Sequence, residues 1–366
     1  MTRRSKRQER RNNKRLEKKN IYCKKYDNFN QLTDYENLYN SALKAGKGVS
    51  WKASVQKYLI NILFRTLDTQ KALQNKKDIR KGFIEFEINE RGKTRHIKAV
   101  HFSERVVQKC LCTKILYPIF TRSLIYDNSA SQKNKGTHFS IKRLETHLRK
   151  YYKKYGNNGY ILLIDFKSFF DNVNHQKLKE IYRKYISDEN VLKYTDDFVD
   201  AFGEKGIGLG SETSQLHAIL YPNDIDHYIK EQLKIKYYGR YMDDSYIICN
   251  DKNDLKEIYE KLKKKYEEYD IKINIKKTHI TDLKHGFTFL KTRFYLTETG
   301  KIIKKPLRKY ITYERRKLKR QQKLAKRNIL KDEHIYNSYI SWEGSIKHKN
   351  ANKTIYFMKQ LLKSKS

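Results

Sequence analysis

The sequence predicts an α+β fold centred on a ferredoxin-like, split βαβ antiparallel sheet. Three observations carry that reading. Residues 151–290 alternate short apolar runs with amphipathic stretches in the order β-α-β-β-α-β. Residues 82–102 alternate apolar and polar positions around Arg91-Gly92, the pattern of a hairpin. Beyond Pro306 the chain turns to helical periodicity on a dense basic surface. Three prolines and no low-complexity linker argue for packed subdomains.

Taken in order, residues 1–27 mix Arg and Lys with Asn, Gln and Glu and offer almost nothing to bury, so they read as a disordered or conditionally helical arm. Such an arm is either a solvated tail or an electrostatic contact to RNA or DNA. Helical periodicity runs from 35 to 73. In the hairpin that follows, Phe83, Glu85, Glu87 and Asn89 fall on one face and Ile84, Phe86 and Ile88 on the other, with Lys93 and Arg95 at the tip. A helix is expected over 105–120, with Pro118 near its end. YILLIDFKSFF (160–170) opens as a strand buried on both faces. GIGLGSETSQLHAILYPNDIDHYIKEQL (206–233) is a glycine loop leading into a helix that starts near Glu212. KYYGRYMDDSYIICND (236–251) is a second hairpin, and a helix over 252–269 with a strand over 271–275 completes the sheet. ITYERRKLKRQQKLAKRNILKD sets Leu318, Leu324 and Ile329 in a basic helix, and a closing helix runs through Leu362. The segments group as an arm (1–27), a mixed unit (28–150), a sheet unit (151–290) and a small all-helical unit (291–366).

Eighty-one Lys and Arg against forty-one Asp and Glu leave a net charge of +40 on 366 residues. That surplus strains a compact fold unless a polyanion offsets it, and nucleic acid is the leading candidate. A lysine-rich solubilising surface is the plain alternative. Cys23, Cys110, Cys112 and Cys249 lack the two-residue gap of a zinc knuckle or redox pair, so reduced, buried thiols are expected. No apolar run approaches the ~20 residues that span a bilayer, and no apolar stretch follows the basic start, so no membrane association and a cytoplasmic location are expected.

Against this basic background the acids stand out. Asp165 ends the run Ile161-Leu-Leu-Ile164, where a carboxylate is costly to bury without a cation or hydrogen bonds. Asp243 and Asp244 sit on the second hairpin, which the split βαβ order places beside that strand. Three carboxylates are then expected to converge, which implies raised pKa values or a divalent metal. Oxygen ligation from few carboxylates, with positions left for water and phosphates, is the habit of Mg²⁺. An Asp-Asp pair taken alone is more often a surface turn.

Tyr241-Met-Asp-Asp244 between apolar strands, preceded by LLIDFKSFFDNVNH (162–175) and GLGSETSQ (208–215), resembles the reverse transcriptases. The resemblance is greatest to bacterial and phage kinds: diversity-generating retroelement, group II intron, retron and defence-associated enzymes. It follows the family's order over about residues 80–300, with further similarity in IKHKNANKTI (346–355).

The resemblance implies a right-hand polymerase with fingers (28–150), palm (151–290) and a short helical thumb (291–366). It implies an RNA-directed DNA polymerase that uses two Mg²⁺, with Mn²⁺ as a substitute ion, and deoxynucleoside triphosphates. Its partners would be an RNA template, a dedicated non-coding RNA, and the DNA product, with a protein partner or an oligomer left open. Asp165, Asp243 and Asp244 would bind metal, with the Phe166 carbonyl as a further ligand. Phe170 matches the position whose ring excludes a ribose 2′-hydroxyl, or is a core aromatic. Lys93 and Arg95 match the hairpin that grips the triphosphate, and Lys277 of Lys276-Lys277 the lysine that meets the leaving pyrophosphate. Arg105, Lys135 and Gln215 lie where template is expected, and Tyr241 is placed to stack on primer bases or to fill a half-buried strand. Arg315, Arg316 and Lys319 on the thumb helix would face duplex phosphates.

One departure concerns the nucleotide. Many reverse transcriptases have Pro-Gln-Gly where this chain has Gly208-Leu209-Gly210. Leu209 cannot make the glutamine's hydrogen bond. Leu209 and Gly210 are similar to the diversity-generating kind, so base selection is expected to be loose. Ser211 and Thr213 are either near the nucleotide or caps of the helix beginning at Glu212. Three rival readings stay open: an RNA-directed RNA polymerase, against which Phe170 counts; a catalytically reduced, maturase-like RNA-binding protein, against which the intact acids count; and untemplated or protein-primed DNA synthesis. Antiphage defence, diversification and retroelement mobility are all compatible with the sequence.

Overall fold

The computed structural model describes residues 14, 17, 18, 20–90 and 92–364, with Glu90 and Lys93 described by their backbone alone. The arm predicted over 1–27 falls largely outside the described residues. Its last part, 20–26, is helical and buries Cys23. The chain divides into two compact units, one of residues 1–132, 166–234 and 262–273, the other of residues 133–165, 235–261 and 274–366.

The first unit is mainly helical. Asp34 starts the Tyr35–Gly46 helix by accepting from the Asn37 amide at 2.7 Å, which satisfies one of the amides a helix start leaves open. That helix, Ala53–Ile60 and Phe102–Leu111 enclose Ala42, Val55, Tyr58, Phe102 and Val106. The predicted hairpin is present as β1 (Phe83–Glu90) and β2 (Lys93–Val100), paired from Phe83↔Val100 to Glu90↔Lys93. Its apolar face is not buried: Ile84, Phe86 and Ile88 are about half exposed, while Phe83 stacks on Phe202 with ring centres 4.8 Å apart.

Two predicted helices differ from expectation for a backbone reason. The helix expected over 105–120 extends from Phe102 to Ser123 through a π-helical turn at Cys112–Leu116. Tyr117 closes that turn by donating to the Cys112 carbonyl, and Pro118, which has no amide hydrogen, sits in the first turn after it. The helix expected over 212–233 is interrupted at Tyr221-Pro222, giving Glu212–Leu220, Asn223–His227 and a π turn at Tyr228–Gln232. Pro222 is again where the regular ladder breaks.

The second unit holds the sheet. β3 (Tyr160–Asp165), β4 (Tyr238–Tyr241), β5 (Asp244–Cys249) and β6 (His279–Asp282) align in the order β4-β5-β3-β6, all antiparallel. That is the split βαβ arrangement the sequence predicts. Ile161, Leu163, Tyr246 and Ile248 pack with Ile141, Leu144, Leu148 and Tyr151 of the Thr137–Tyr155 helix. Leu162 and Ile164, on the opposite face of β3, are buried too. The strand expected over 271–275 lies elsewhere. Lys277 and Thr278 donate to the Asn274 carbonyl at 3.0 and 2.9 Å, so the backbone turns there and the ladder to β3 is made by β6. In the first unit, Ile273 contributes a single bridge to Phe166. Ile275 is 80% exposed.

The region from 291 is not all helical as predicted. β7 (Phe287–Phe289), β8 (Thr292–Leu296) and β9 (Ile302–Pro306) form a three-stranded meander before any helix begins. Helices Arg308–Lys326, Asp332–Ile346 and Asn352–Lys363 then close around Leu318, Ile335, Tyr339 and Met358. The four cysteines are free thiols, with Cys23, Cys110 and Cys112 buried. Among the described residues, no helix is long and apolar enough to cross a membrane.

His217, on the Glu212–Leu220 helix, yields a test of the first unit. Its ring stacks on Tyr182 and lies against Phe120, and among the described residues its Nε2 has no hydrogen-bond partner. Burial, and to a smaller degree His175, push its pKa down to about 3. The unfolded chain therefore binds a proton below its ordinary pKa that the fold refuses, so stability is full above about pH 6.5 and is lost as pH falls toward 3. At pH 5 the loss is about 2 kcal/mol. Urea melts of His217→Phe should show a flatter loss of stability between pH 6.5 and 4 than wild type; parallel slopes would rule this account out.

Candidate active site

The hairpin of β4 and β5 carries the adjacent acids on a two-residue turn. Tyr241↔Asp244 is its last pair, which leaves Met242 and Asp243 at the tip. Met242 takes φ +55°, a strained conformation for a side chain of its size. The turn has an internal brace: Arg240, wholly buried on β4, donates from Nη1 to the Met242 carbonyl at 3.0 Å. A Cβ on Gly239 would lie 2.7 Å from Tyr246 Oη, so a side chain here would displace the ring that hydrogen-bonds His147 Nδ1 at 3.0 Å.

Asp165 and Asp244 are direct partners at the ends of β3 and β5, which places the first predicted acid opposite the last. Asp165 is held from three sides by the turn at 274–278. Asn274 Nδ2 donates to its Oδ1 at 2.7 Å, the Asn274 amide donates to its carbonyl at 2.8 Å, and its own amide donates to Thr278 Oγ1 at 3.2 Å. Lys277 Nζ then straddles the carboxylate at 2.9 and 2.8 Å from its two oxygens. This bond to Asp165, more than any other influence, raises the Lys277 pKa.

The charge balance around Asp244 is unfavourable. Burial first, then the charges of Asp243 and Asp165, push its pKa up to about 7 against the opposing pull of Lys277 and Lys291. Among the described residues no group of three or more His, Cys, Asp and Glu is arranged to hold a metal ion as it stands, and Lys277 lies on both oxygens of Asp165. Lys277, expected at a leaving pyrophosphate, is placed on an acid.

The other predicted residues fall in both units. In the first, the loop before Glu212 runs along β2: the Leu209 carbonyl accepts from the Lys98 amide at 3.4 Å, and a Cβ on Gly210 would lie 3.2 Å from Ile97. Leu209 and Gly210 are thereby brought beside the strand that carries Arg95, whereas the Lys93 side chain lies outside the described residues. Phe166 is buried against Phe169 and Tyr266, at ring distances of 5.3 and 4.9 Å. Phe169 is a core aromatic, and Phe170 is half-buried with its carbonyl accepting from Ile207 at 2.9 Å. Ser211 stands at the cap position but caps nothing. Its hydroxyl bonds Gln108 Oε1 at 2.8 Å and Thr213 Oγ1 at 2.6 Å. Gln215 Oε1 accepts from Ser131 at 3.2 Å, and Arg105 is half-buried in the first turn of its helix.

In the second unit, Lys135 lies over the Phe139 ring at 5.4 Å. Tyr241 is partly buried at the edge of the core and its hydroxyl accepts from Thr137 at 3.4 Å. Arg315, Arg316 and Lys319 are exposed while Leu318 is buried, which turns a basic helix face to solvent. Sequence reasoning missed Asn274, Thr278, Arg240 and Lys291. Asn274 and Thr278 had a readable signal, a polar residue on each side of the Lys276-Lys277 pair. A buried arginine did not.

The profile of the family described as reverse transcriptase (RNA-dependent DNA polymerase) matches residues 74–294. No curated protein matches the chain. Among solved structures, apo telomerase from Candida tropicalis truncated from its C-terminal domain is 16% identical, with a TM-score of 0.48 over 66% of this chain and 60% of that one. Telomerase from Candida albicans in complex with a TWJ fragment of telomeric RNA is 14% identical, with a TM-score of 0.49 over 68% of this chain and 50% of that one. The chain thus spans about half to three fifths of the length of these telomerases. With that profile covering more than half of its residues, and with Asp165 and Asp244 paired inside the matched span, the chain belongs to the reverse transcriptase (RNA-dependent DNA polymerase) family.

Proposed function

We propose that the chain is an RNA-directed DNA polymerase that extends a DNA strand on an RNA template from deoxynucleoside triphosphates, using two divalent ions. The observation that carries this reading is the pairing of Asp165 and Asp244 at neighbouring strand ends, with a cationic group, the Lys277 ammonium, drawn onto Asp165. The residues fit a hard cation. The donors are all oxygen, and the crowding that raises Asp244 is what a divalent charge would relieve. Asp165, Asp243 and Asp244 would hold the ions, with the Phe166 carbonyl as a further ligand, and Mg²⁺ suits so small a set of carboxylates. Bound there, such ions would stabilise the attacking and leaving oxygens of an in-line phosphoryl transfer.

The remaining work falls to side chains. The Lys277 side chain is 56% exposed, so its ammonium can leave Asp165 for the leaving phosphate. Arg240 positions the turn that carries Asp243. Phe170 would exclude the ribose hydroxyl, and Leu209, unable to hydrogen-bond a base, would leave base selection loose. A non-coding RNA as template and a role in a bacterial retroelement or antiphage defence system fit the resemblance of the motifs. A second reading has one observation in its favour: a lysine seated on Asp165 also suits a maturase-like RNA-binding protein that has given up catalysis.

Primer extension separates the two. On primed RNA with Mg²⁺ and deoxynucleotides, wild type should extend and Asp243→Ala with Asp244→Ala should lose about a thousandfold or more while retaining RNA affinity. Wild-type silence beside an active control enzyme would leave the RNA-binding reading standing. Phe170→Ala should gain ribonucleotide incorporation relative to deoxynucleotide; an unchanged ratio would make Phe170 a core residue only. Arg240→Met should lower kcat with little change in the nucleotide KM, and Arg240→Lys should recover part of it. A folded Arg240→Met with wild-type kcat would show that the brace is dispensable.

A further inference from the structure

A second constellation in the sheet-bearing unit uses none of the residues assigned above. A cavity of about 630 Å³ is lined by the Thr137–Tyr155 helix, by β9 and by the turn between the last two helices. Its basic lining is Lys142, Arg149, Lys304 and Lys349 with the imidazoles of His138 and His348, and Glu145 is its one carboxylate. Glu145 is already shared, accepting from Lys304 at 2.7 Å on one oxygen and from Arg149 at 2.5 Å on the other. Among the described residues no carboxylate pairs with Lys142 or Lys349.

The walls are built rather than incidental. The Lys304 amide donates to Asn350 Oδ1 at 2.8 Å and the Lys304 carbonyl accepts from the Asn350 amide at 2.7 Å, which fastens the turn carrying His348 and Lys349 to β9. The two imidazoles meet edge to face with centres 4.7 Å apart. Burial and Lys291 depress the Lys349 pKa, and burial followed by His348 and Lys349 depresses that of His138. Burial and neighbouring positive charge thus disfavour the charged forms of Lys349 and His138, and a bound anion would act in the opposite direction. One backbone diester brings a single charge, whereas four Lys and Arg side chains facing one shared carboxylate match a group that concentrates several. A volume of this size is ordinary for a small-ligand site.

We propose that this cavity binds polyphosphate, either the 5′-triphosphate end of a nucleic-acid strand or a free polyphosphate. Binding needs no polymerase chemistry, so the site stands or falls apart from the function proposed above. The test uses the full chain and three probes: sodium tripolyphosphate, a short RNA with a 5′-triphosphate, and the same RNA with a 5′-hydroxyl. By fluorescence anisotropy the triphosphate-ended RNA should bind about tenfold tighter than the hydroxyl-ended one, the effect of one good charge-assisted contact. Tripolyphosphate should abolish the difference. Lys142→Ser with Lys349→Ser should lose the preference while keeping hydroxyl-ended affinity and melting temperature; Lys142→Glu, at an exposed position, is the second variant should the pair fold poorly. Asp243→Asn should keep the preference. Tripolyphosphate binding lost in the variant, with the two RNAs bound alike, would still support the site and identify free polyphosphate as the source. The proposal is overturned if tripolyphosphate does not bind, binds the variant equally well, or if the variant weakens both RNAs to the same degree.

Discussion

Two carboxylates facing each other at the ends of neighbouring antiparallel strands are the constraint around which the sheet-bearing unit is organised. Asp165 and Asp244 repel, and burial sharpens the repulsion. The register of β3 on β5 decides whether they meet, since a slip of one residue would turn every side chain to the opposite face. The ladder from Tyr160↔Cys249 to Asp165↔Asp244 sets that register, with β3 buried on both faces. The hydrophobic core therefore does electrostatic work, holding in place a juxtaposition that charge alone would open.

The same constraint explains the polar residues nearby. Asn274, Thr278 and Lys277 come from one tight turn and between them engage the amide, carbonyl and carboxylate of Asp165. A buried carboxylate so enclosed has little freedom to rotate away. Across the sheet, Arg240 gives up hydration to support the Met242 carbonyl. A buried guanidinium is costly, and a turn with a positive φ at methionine is costly too. Their coincidence at Asp243 marks a place where geometry is kept at the expense of stability.

What the sequence revealed follows from where local pattern and tertiary packing agree. The run Ile161-Leu-Leu-Ile164, the alternation in the first hairpin and the β-α-β-β-α-β order each state their structure locally, and the observed sheet has that order. Ile271, Ile273 and Ile275 state a strand equally well, but the Asn274 carbonyl captures two amides and ends it, a choice that pattern alone does not encode. β8 and β9, at five residues each, are too short to show a clear period against the helical stretch that follows them. Nothing in the local pattern singles out Arg240, since arginine is rarely wholly buried. The Gly208-Leu209-Gly210 departure has a packing component that motif comparison hides: Gly208 at φ +54° would place a Cβ 2.2 Å from the Phe202 ring, and Gly210 abuts Ile97. Contacts with the Phe202 ring and with β2 leave no room for a side chain at Gly208 and little at Gly210, so of the three only Leu209 carries one.

The net charge of +40 takes on meaning when its cations are sorted by partner. Near the paired acids, Lys277 and Lys291 offset negative charge, so the positive surplus there is small. On the Arg308–Lys326 helix, Arg315, Arg316 and Lys319 stand in water, where dielectric and salt weaken their mutual repulsion. In the walled cavity neither relief is complete: Glu145 is spent on two partners, and Lys349 is depressed by burial and by Lys291. Repulsion costs most at its more buried cations, Lys304 and Lys349, where water screens least. The paired hydrogen bonds of Asn350 and Lys304 hold Lys349 beside the other cations, and an anion bound among them would relieve their repulsion in proportion to the charge it concentrates.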